Sequence, residues 1–191
     1  MSRKYTSLPI TKEYNVAVGN FDDNRLPITT IVIHTSVGTI EGAAARFNNP
    51  SSKVSAHYAI GWNEELYAFL EEYFVAYATG VYAMNQKSIS IEHIDNWNGK
   101  PPEPLRTDAL YETSAKLVAD ICTYYNLPIN RTTILRHKEV PGSSTACPDN
   151  LDIDRIVKRA LEIANPQVLD YKALYLAEKK KTDAIKAIVN G

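Results

Sequence analysis

The chain has 191 residues, 45% of them hydrophobic and 23% charged, with a formal net charge of -1. These values suit one globular domain with room for an appended element. They are typical of a soluble globular protein and give no basis for nucleic-acid binding. No stretch approaches the roughly 18 apolar residues that cross a membrane, so membrane insertion is not expected.

The start, Met1-Ser2-Arg3-Lys4-Tyr5-Thr6-Ser7, has two basic residues with no apolar run behind them, so no signal peptide is expected. On that reading the product is made in the cytoplasm and acts outside the cell only after a separate release. Residues 1–27 are mixed and polar, broken by Pro9, Gly19 and Pro27, and read as a lead-in segment that wraps the domain. Thr29-Thr30-Ile31-Val32-Ile33-His34 is β-branched and continuously apolar, the pattern of a central strand covered on both faces. Residues 38–47 read as a short helix with Thr39 as N-cap and Asn49-Pro50 as its stop. Lys53 to Ile60 alternates as a strand, Gly61-Trp62-Asn63-Glu64 turns, and Glu65 to Leu70 returns as a hairpin.

Residues 71–87 are aromatic and irregular and read as loop with one turn of helix. Ser88-Ile89-Ser90-Ile91-Glu92-His93-Ile94 alternates as a strand, with Ile89, Ile91 and His93 on one face and Ser88, Ser90 and Glu92 on the other. Asp95 to Pro104 reads as a loop containing Trp97. Thr107 caps a long helix to about Asn126, with Leu110, Leu117, Val118, Ile121 and Tyr125 at helical spacing. Thr132 to His137 is a short strand ending on a histidine. Ile153, Ile156, Val157, Ala160, Leu161 and Ala164 form an amphipathic helix stopped by Asn165-Pro166. Residues 168–190 are a further helical stretch with a weak apolar stripe; 168–191 holds five basic and three acidic residues. The expected organisation is a lead-in at 1–27, a catalytic domain at 28–165 and a C-terminal helix, a possible linker, at 166–191. Strands interleaved with helices give an α/β fold: one domain, a central mixed sheet flanked by helices.

The chemistry gathers in Arg136-His137-Lys138-Glu139-Val140-Pro141-Gly142-Ser143-Ser144-Thr145-Ala146-Cys147-Pro148-Asp149. An imidazole and a thiol stand ten residues apart around a Pro-Gly turn, and these are ligand types that zinc favours. A lone strand-end histidine is most often structural, but His34 ends the buried strand and supplies a third donor. His34, His137 and Cys147 would hold a metal and leave one position open, as catalytic zinc sites do. Cys122 lies in an apolar helical pattern and reads as a core residue, so no disulfide with Cys147 is expected. Glu92 is a carboxylate on a buried strand, which is costly without a partner and calls for a role. His57 reads as a hydrogen-bonded support, and as the fourth ligand only if the zinc site were structural. His93 reads as structural. Trp62, Tyr67, Tyr73, Tyr77, Tyr82 and Trp97 are expected near the groove, mostly as packing.

Ile31-Val32-Ile33-His34-Thr35, Val54-Ser55-Ala56-His57-Tyr58, Ser88-Ile89-Ser90-Ile91-Glu92, Arg136-His137-Lys138-Glu139-Val140-Pro141 and Thr145-Ala146-Cys147-Pro148 occur in that order. The ordered set, over about residues 28–160, resembles the zinc-dependent N-acetylmuramoyl-L-alanine amidases, the type-2 amidases, which include phage endolysins, bacterial wall amidases and peptidoglycan-recognition proteins. The resemblance implies a Zn2+ cofactor on His34, His137 and Cys147, and a peptidoglycan or muropeptide substrate cleaved between N-acetylmuramic acid and L-alanine. It implies that Glu92 handles the attacking water and that Thr145 sits near the scissile carbonyl, in a chain expected to be monomeric. Alternatives in the same family are a recycling amidase for soluble anhydro-muropeptides and a non-catalytic recognition module, which typically lacks a ligand. The chain departs from the family pattern in four places. Tyr77-Ala78-Thr79-Gly80 stands where many members show Trp-His-Ala-Gly, and Ser90 replaces a glycine. Ala56 occupies the place of a tyrosine in some phage members, and Cys147 that of an aspartate in many relatives.

Overall fold

The computed structural model describes residues 3–94 and 106–189. The loop expected at 95–104, with Trp97, lies outside the described residues. In chain order the elements are β1 (Lys12–Glu13), β2 (Phe21–Asp22), β3 (Thr30–Ser36), α1 (Ile40–Phe47), β4 (Tyr58–Ile60), β5 (Leu66–Ala68), β6 (Val75–Ala76), α2 (Tyr82–Asn85), β7 (Ser88–Ile94), α3 (Asp108–Tyr125), β8 (Ile134–Arg136), α4 (Ile153–Ala164) and α5 (Pro166–Val189).

Six strands form one mixed sheet in the order β1-β5-β4-β7-β3-β8. Strands β4, β7, β3 and β8, the last at the sheet edge, run parallel, and β5 returns antiparallel to β4 as the expected hairpin. Ile31, Val32 and Ile33 are fully buried, as a continuous apolar run on a two-sided strand requires. Ile31, Ile33, Ile89 and Ile91 face Leu110, Leu117 and Ile121 of α3 and Ile153 and Ile156 of α4. The other face is covered less completely. Ala59, Phe69 and Ile94 meet Ala43, Ala44 and Phe47 of α1, and Val32 meets Met84 and Val140. Helix α1 is only two turns long, so it leaves part of this face open, and Glu92 points toward that opening.

Helix termini follow the cap residues. Thr39 accepts from the Gly42 amide and Thr107 from the Leu110 amide. Asn126 ends α3 in the left-handed region at φ 53°, a conformation asparagine tolerates better than most residues. Both cysteines are free, with Cys122 buried in α3. No helix among the described residues is long and apolar enough to cross a membrane.

Three expectations are corrected. The strand read at 53–60 is reduced to β4: Lys53 takes φ 54°, and the Ser55 amide bonds the Tyr77 carbonyl instead of continuing a ladder. The stretch 71–87 holds β6 as well as α2, because Val75 and Ala76 pair antiparallel with Phe21 and Asp22 of the lead-in. Strand β8 stops at Arg136, one residue short of the histidine. His137 instead opens a single 3-10 turn, closed by Glu139, which accepts from the Arg136 amide at 2.7 Å.

The lead-in does wrap the sheet. Its β1 pairs with β5 at the sheet edge, and buried Asn20 donates to the Phe47 and Asn49 carbonyls, fixing the end of α1. At its start Arg3 reaches Glu72, whose side chain is 0% exposed, at 3.0 Å. Glu72 also accepts from Tyr58 at 2.6 Å and Tyr125 at 2.7 Å, while Arg3 donates to Asp120 at 2.5 Å. Removing one partner strands the other charge, the costly way to break a buried pair. Two tyrosine hydroxyls remain on Glu72, so Arg3→Ala should cost about 2–3 kcal/mol. Urea unfolding checks this; a loss below about 0.5 kcal/mol, the value of an exposed pair, would contradict it.

Candidate metal centre

The parallel register places the first donors. His34 lies opposite Glu92 across the β3–β7 ladder, and β8 pairs with β3 from Ile31↔Ile134 to Ile33↔Arg136, so His137 leaves the sheet beside His34. Both histidines therefore sit at the carboxyl ends of parallel strands, where open α/β sheets build their sites. Cys147 is returned by a tight loop. Pro141-Gly142 turns with the Ser143 amide on the Val140 carbonyl and Gly142 at φ 89°, which glycine adopts freely. The Lys138 amide then donates to the Cys147 carbonyl at 2.8 Å, pinning the returning segment next to His137.

His34, His137 and Cys147 offer ligand atoms that all lie within 4.8 Å of one another. The Nδ1 atoms of the two histidines are 3.1 Å apart. Two nitrogens on one tetrahedral zinc, each at about 2.05 Å, stand about 3.3 Å apart, so the spacing matches. His137 donates its Nε2 proton to the Thr79 carbonyl at 3.0 Å, which leaves Nδ1 as a free lone pair facing the site. That arrangement orients a metal-bound imidazole and raises its basicity. His34 is 2% exposed, and its Nε2 is a buried atom with no partner among the described residues. Burial, helped by His137 and His93, lowers the His34 pKa well below its ordinary value, so the ring is neutral and available as a ligand. Cys147 accepts from the Thr35 amide at 3.3 Å. Burial pushes its thiol up to about 11 against the help of that amide, so only a cation at the site would hold it as thiolate near neutral pH. Two neutral imidazoles and a thiol within reach of one point fit zinc with one position left open.

Around the donors opens a cleft of about 570 Å³, lined by Glu92, Arg46, Tyr77, Thr145 and the three donors among others. Glu92 Oε2 is buried without a hydrogen-bond partner among the described residues. Burial pushes this carboxyl up to about 7, with Arg46 pulling the other way. Thr145 accepts from the Cys147 amide at 3.1 Å, which leaves its own proton free to donate. His57 is not a fourth ligand. Its Nδ1 accepts from the Ser90 amide at 3.0 Å, so its Nε2 proton goes to the Phe74 carbonyl at 3.2 Å. His93 is a support on the opposite face: Nδ1 donates to the His34 carbonyl at 2.9 Å, and Nε2 accepts from Ser114 of α3 at 2.8 Å. Of the aromatics, Tyr77 lines the cleft, whereas Trp62 and Tyr67 line a smaller neighbouring cavity of about 250 Å³.

Residues 24–150 match the family described as N-acetylmuramoyl-L-alanine amidase. The chain belongs to this amidase family. It is 30% identical over 101 residues to N-acetylmuramoyl-L-alanine amidase A of Achromobacter lyticus, covering 49% of this chain and 51% of that protein, so it spans about half the length of that curated relative. The fold is similar to the catalytic domain of XlyA, with a TM-score of 0.62 at 20% identity over 80% of this chain and 99% of the other. It is also similar to the endolysin N-acetylmuramoyl-L-alanine amidase LysCS of Clostridium intestinale, with a TM-score of 0.58 at 20% identity over 79% and 96%.

Several supports of this amidase-family site are not legible from residue type. The Thr79 carbonyl that orients His137 is itself held by Asn85, which accepts from the Thr79 amide at 3.0 Å and hydroxyl at 2.7 Å. The Thr35 amide and Ser114 act through backbone position and through a helix on the far face, and neither leaves a spacing signal.

Two outcomes follow. Zinc binding near pH 7.5 should release about one proton, because the Cys147 thiol must ionise on binding. Calorimetry in buffers of different ionisation enthalpy reads this; Cys147→Ala should lose both the proton and most of the affinity, and an unchanged affinity would contradict the assignment. Buried His93, lowered to about 4 by burial, is protonated more readily in the unfolded chain. Its contribution is therefore present above about pH 6.5 and lost as pH falls toward 4, a loss on the order of 2 kcal/mol by pH 5. Thermal unfolding of the metal-free protein at pH 7 and pH 5 checks it, and equal stabilities would contradict it.

Proposed function

We propose that this protein is a zinc hydrolase that cleaves the amide between N-acetylmuramic acid and L-alanine in peptidoglycan. The observation that carries the reading is the convergence of His34, His137 and Cys147 at the edge of a cleft that also holds Glu92. A recognition module that binds without cleaving has no need of a complete donor set beside a carboxylate with a buried oxygen left unpartnered among the described residues.

An amide is a weak electrophile and water at neutral pH a weak nucleophile, so both partners need activation. His34, His137 and Cys147 would hold zinc, and zinc bound there would supply both activations. Glu92 takes the proton of the attacking water and delivers it to the departing L-alanine nitrogen. Its burial favours the protonated form enough that the same carboxyl works first as base and then as acid near pH 7. Thr145 donates a hydrogen bond to the oxyanion of the tetrahedral intermediate, without the positive charge a lysine would bring. Thr79 and His93 hold the two ligand histidines in place during these steps.

The test is amine release from purified peptidoglycan together with zinc content. Glu92→Gln should keep zinc and lose about 10²–10⁴-fold in turnover, and Thr145→Ala should keep zinc and lose about 10²-fold. The rate should fall as pH drops below about 7, because only ionised Glu92 accepts the proton, with the limb moved lower by a bound cation. Full turnover by Glu92→Gln would reject its role, and absence of any release by the zinc-loaded protein would reject the activity.

A further inference from the structure

The chain has eight arginines, and the described structure gives seven of them partners. Arg3, Arg106, Arg131, Arg136, Arg155 and Arg159 meet carboxylates, and Arg25 donates to the Asn85 and Ser88 carbonyls. The guanidinium of Arg46 has no hydrogen bond or ion pair among the described residues. Arg46 stands in the last turn of α1, and it lines the same cleft as Glu92 and the three metal donors. A planar, permanently charged fork with its donors unspent is suited to a carboxylate, which it can bind through two parallel hydrogen bonds.

We propose that Arg46 is a specificity residue that binds the free carboxylate of the second stem-peptide residue. This rests on the amidase reading above. In peptidoglycan the residue after L-alanine is a D-glutamate joined through its side-chain carboxyl, so its α-carboxyl is left free or, in some walls, amidated. Extended peptide advances about 3.4 Å per residue, which puts this group about 7 Å from the cleaved bond. Arg46 lines the same cleft of about 570 Å³ as Glu92 and the three donors, so one bound stem could reach both. Arg46 also offsets the negative charge of Glu92, which would otherwise repel an acidic stem. Tyr77 lines the same cleft. The amidated stem presents a carboxamide that cannot take up the positive charge.

Two muropeptides that differ only in free or amidated D-glutamate test this, with wild type, Arg46→Gln and Arg46→Lys. Wild type should favour the free acid by about twofold to fivefold in kcat/KM, the range of a solvent-accessible charge pair, mainly through KM. Arg46→Gln should erase the preference, and Arg46→Lys should restore part of it. Calorimetric binding of the two free stem peptides should show the same order without any turnover. Wild type that treats both substrates and both peptides alike would overturn the proposal. So would an Arg46→Gln that slows both substrates equally, since that marks an effect through Glu92. Binding that follows the predicted order in a protein with no turnover would leave Arg46 as the carboxylate site while rejecting the hydrolase reading.

Discussion

The parallel pairing of β3 with β7 and β8 is the constraint on which the site depends. Because the register is fixed residue by residue, His34 and Glu92 emerge as neighbours and His137 leaves the sheet one step beyond β8. A slip of one residue would turn His34 and Glu92 onto the α3 face and bury them among isoleucines. The fully apolar Ile31-Val32-Ile33 run and the Ile89/Ile91 alternation prevent that slip, since each has a covered face to satisfy. Core packing thus sets the position of polar groups that contribute nothing to it.

Electrostatics at the centre follows from the same burial. His34, Glu92 and Cys147 are all held toward their neutral forms by desolvation. For the imidazole that is the ligating form. For the thiol it opposes ligation, and a divalent cation bound there would offset it. For the carboxyl it brings proton affinity close to neutrality, where transfer in both directions is fastest. The supports are uncharged: carbonyls of Thr79 and Phe74, amides of Thr35 and Ser90, and the Ser114 hydroxyl. They orient the rings and sulfur without adding charge that would weaken a cation's pull on substrate.

Much of this was readable from residue type and spacing. Strands β3 and β7 declare themselves by apolar run and alternation, α3 and α1 by Thr107 and Thr39, and the donors by two histidines close to strand ends and a thiol ten residues on, past a Pro-Gly turn. Segments held by distant partners were not readable. Val75 and Ala76 become strand only because Phe21 and Asp22 lie beside them, and Lys53 to His57 lose the ladder that alternation suggested because Ser55 is drawn to Tyr77. The buried Arg3–Glu72 pair joins residues 69 positions apart, and no local pattern marks it. Arg46 illustrates the other limit: its helix is legible, but its lack of a partner among the described residues is a property of the assembled surface.

The central claim is that two imidazoles and one thiolate share a single zinc ion with one position free for solvent. X-ray absorption at the zinc edge of the loaded protein tests it directly. The account predicts one sulfur near 2.3 Å and about three nitrogen or oxygen neighbours near 2.0–2.1 Å, with the sulfur lost in Cys147→Ala. A spectrum with no sulfur, or with two, would contradict it.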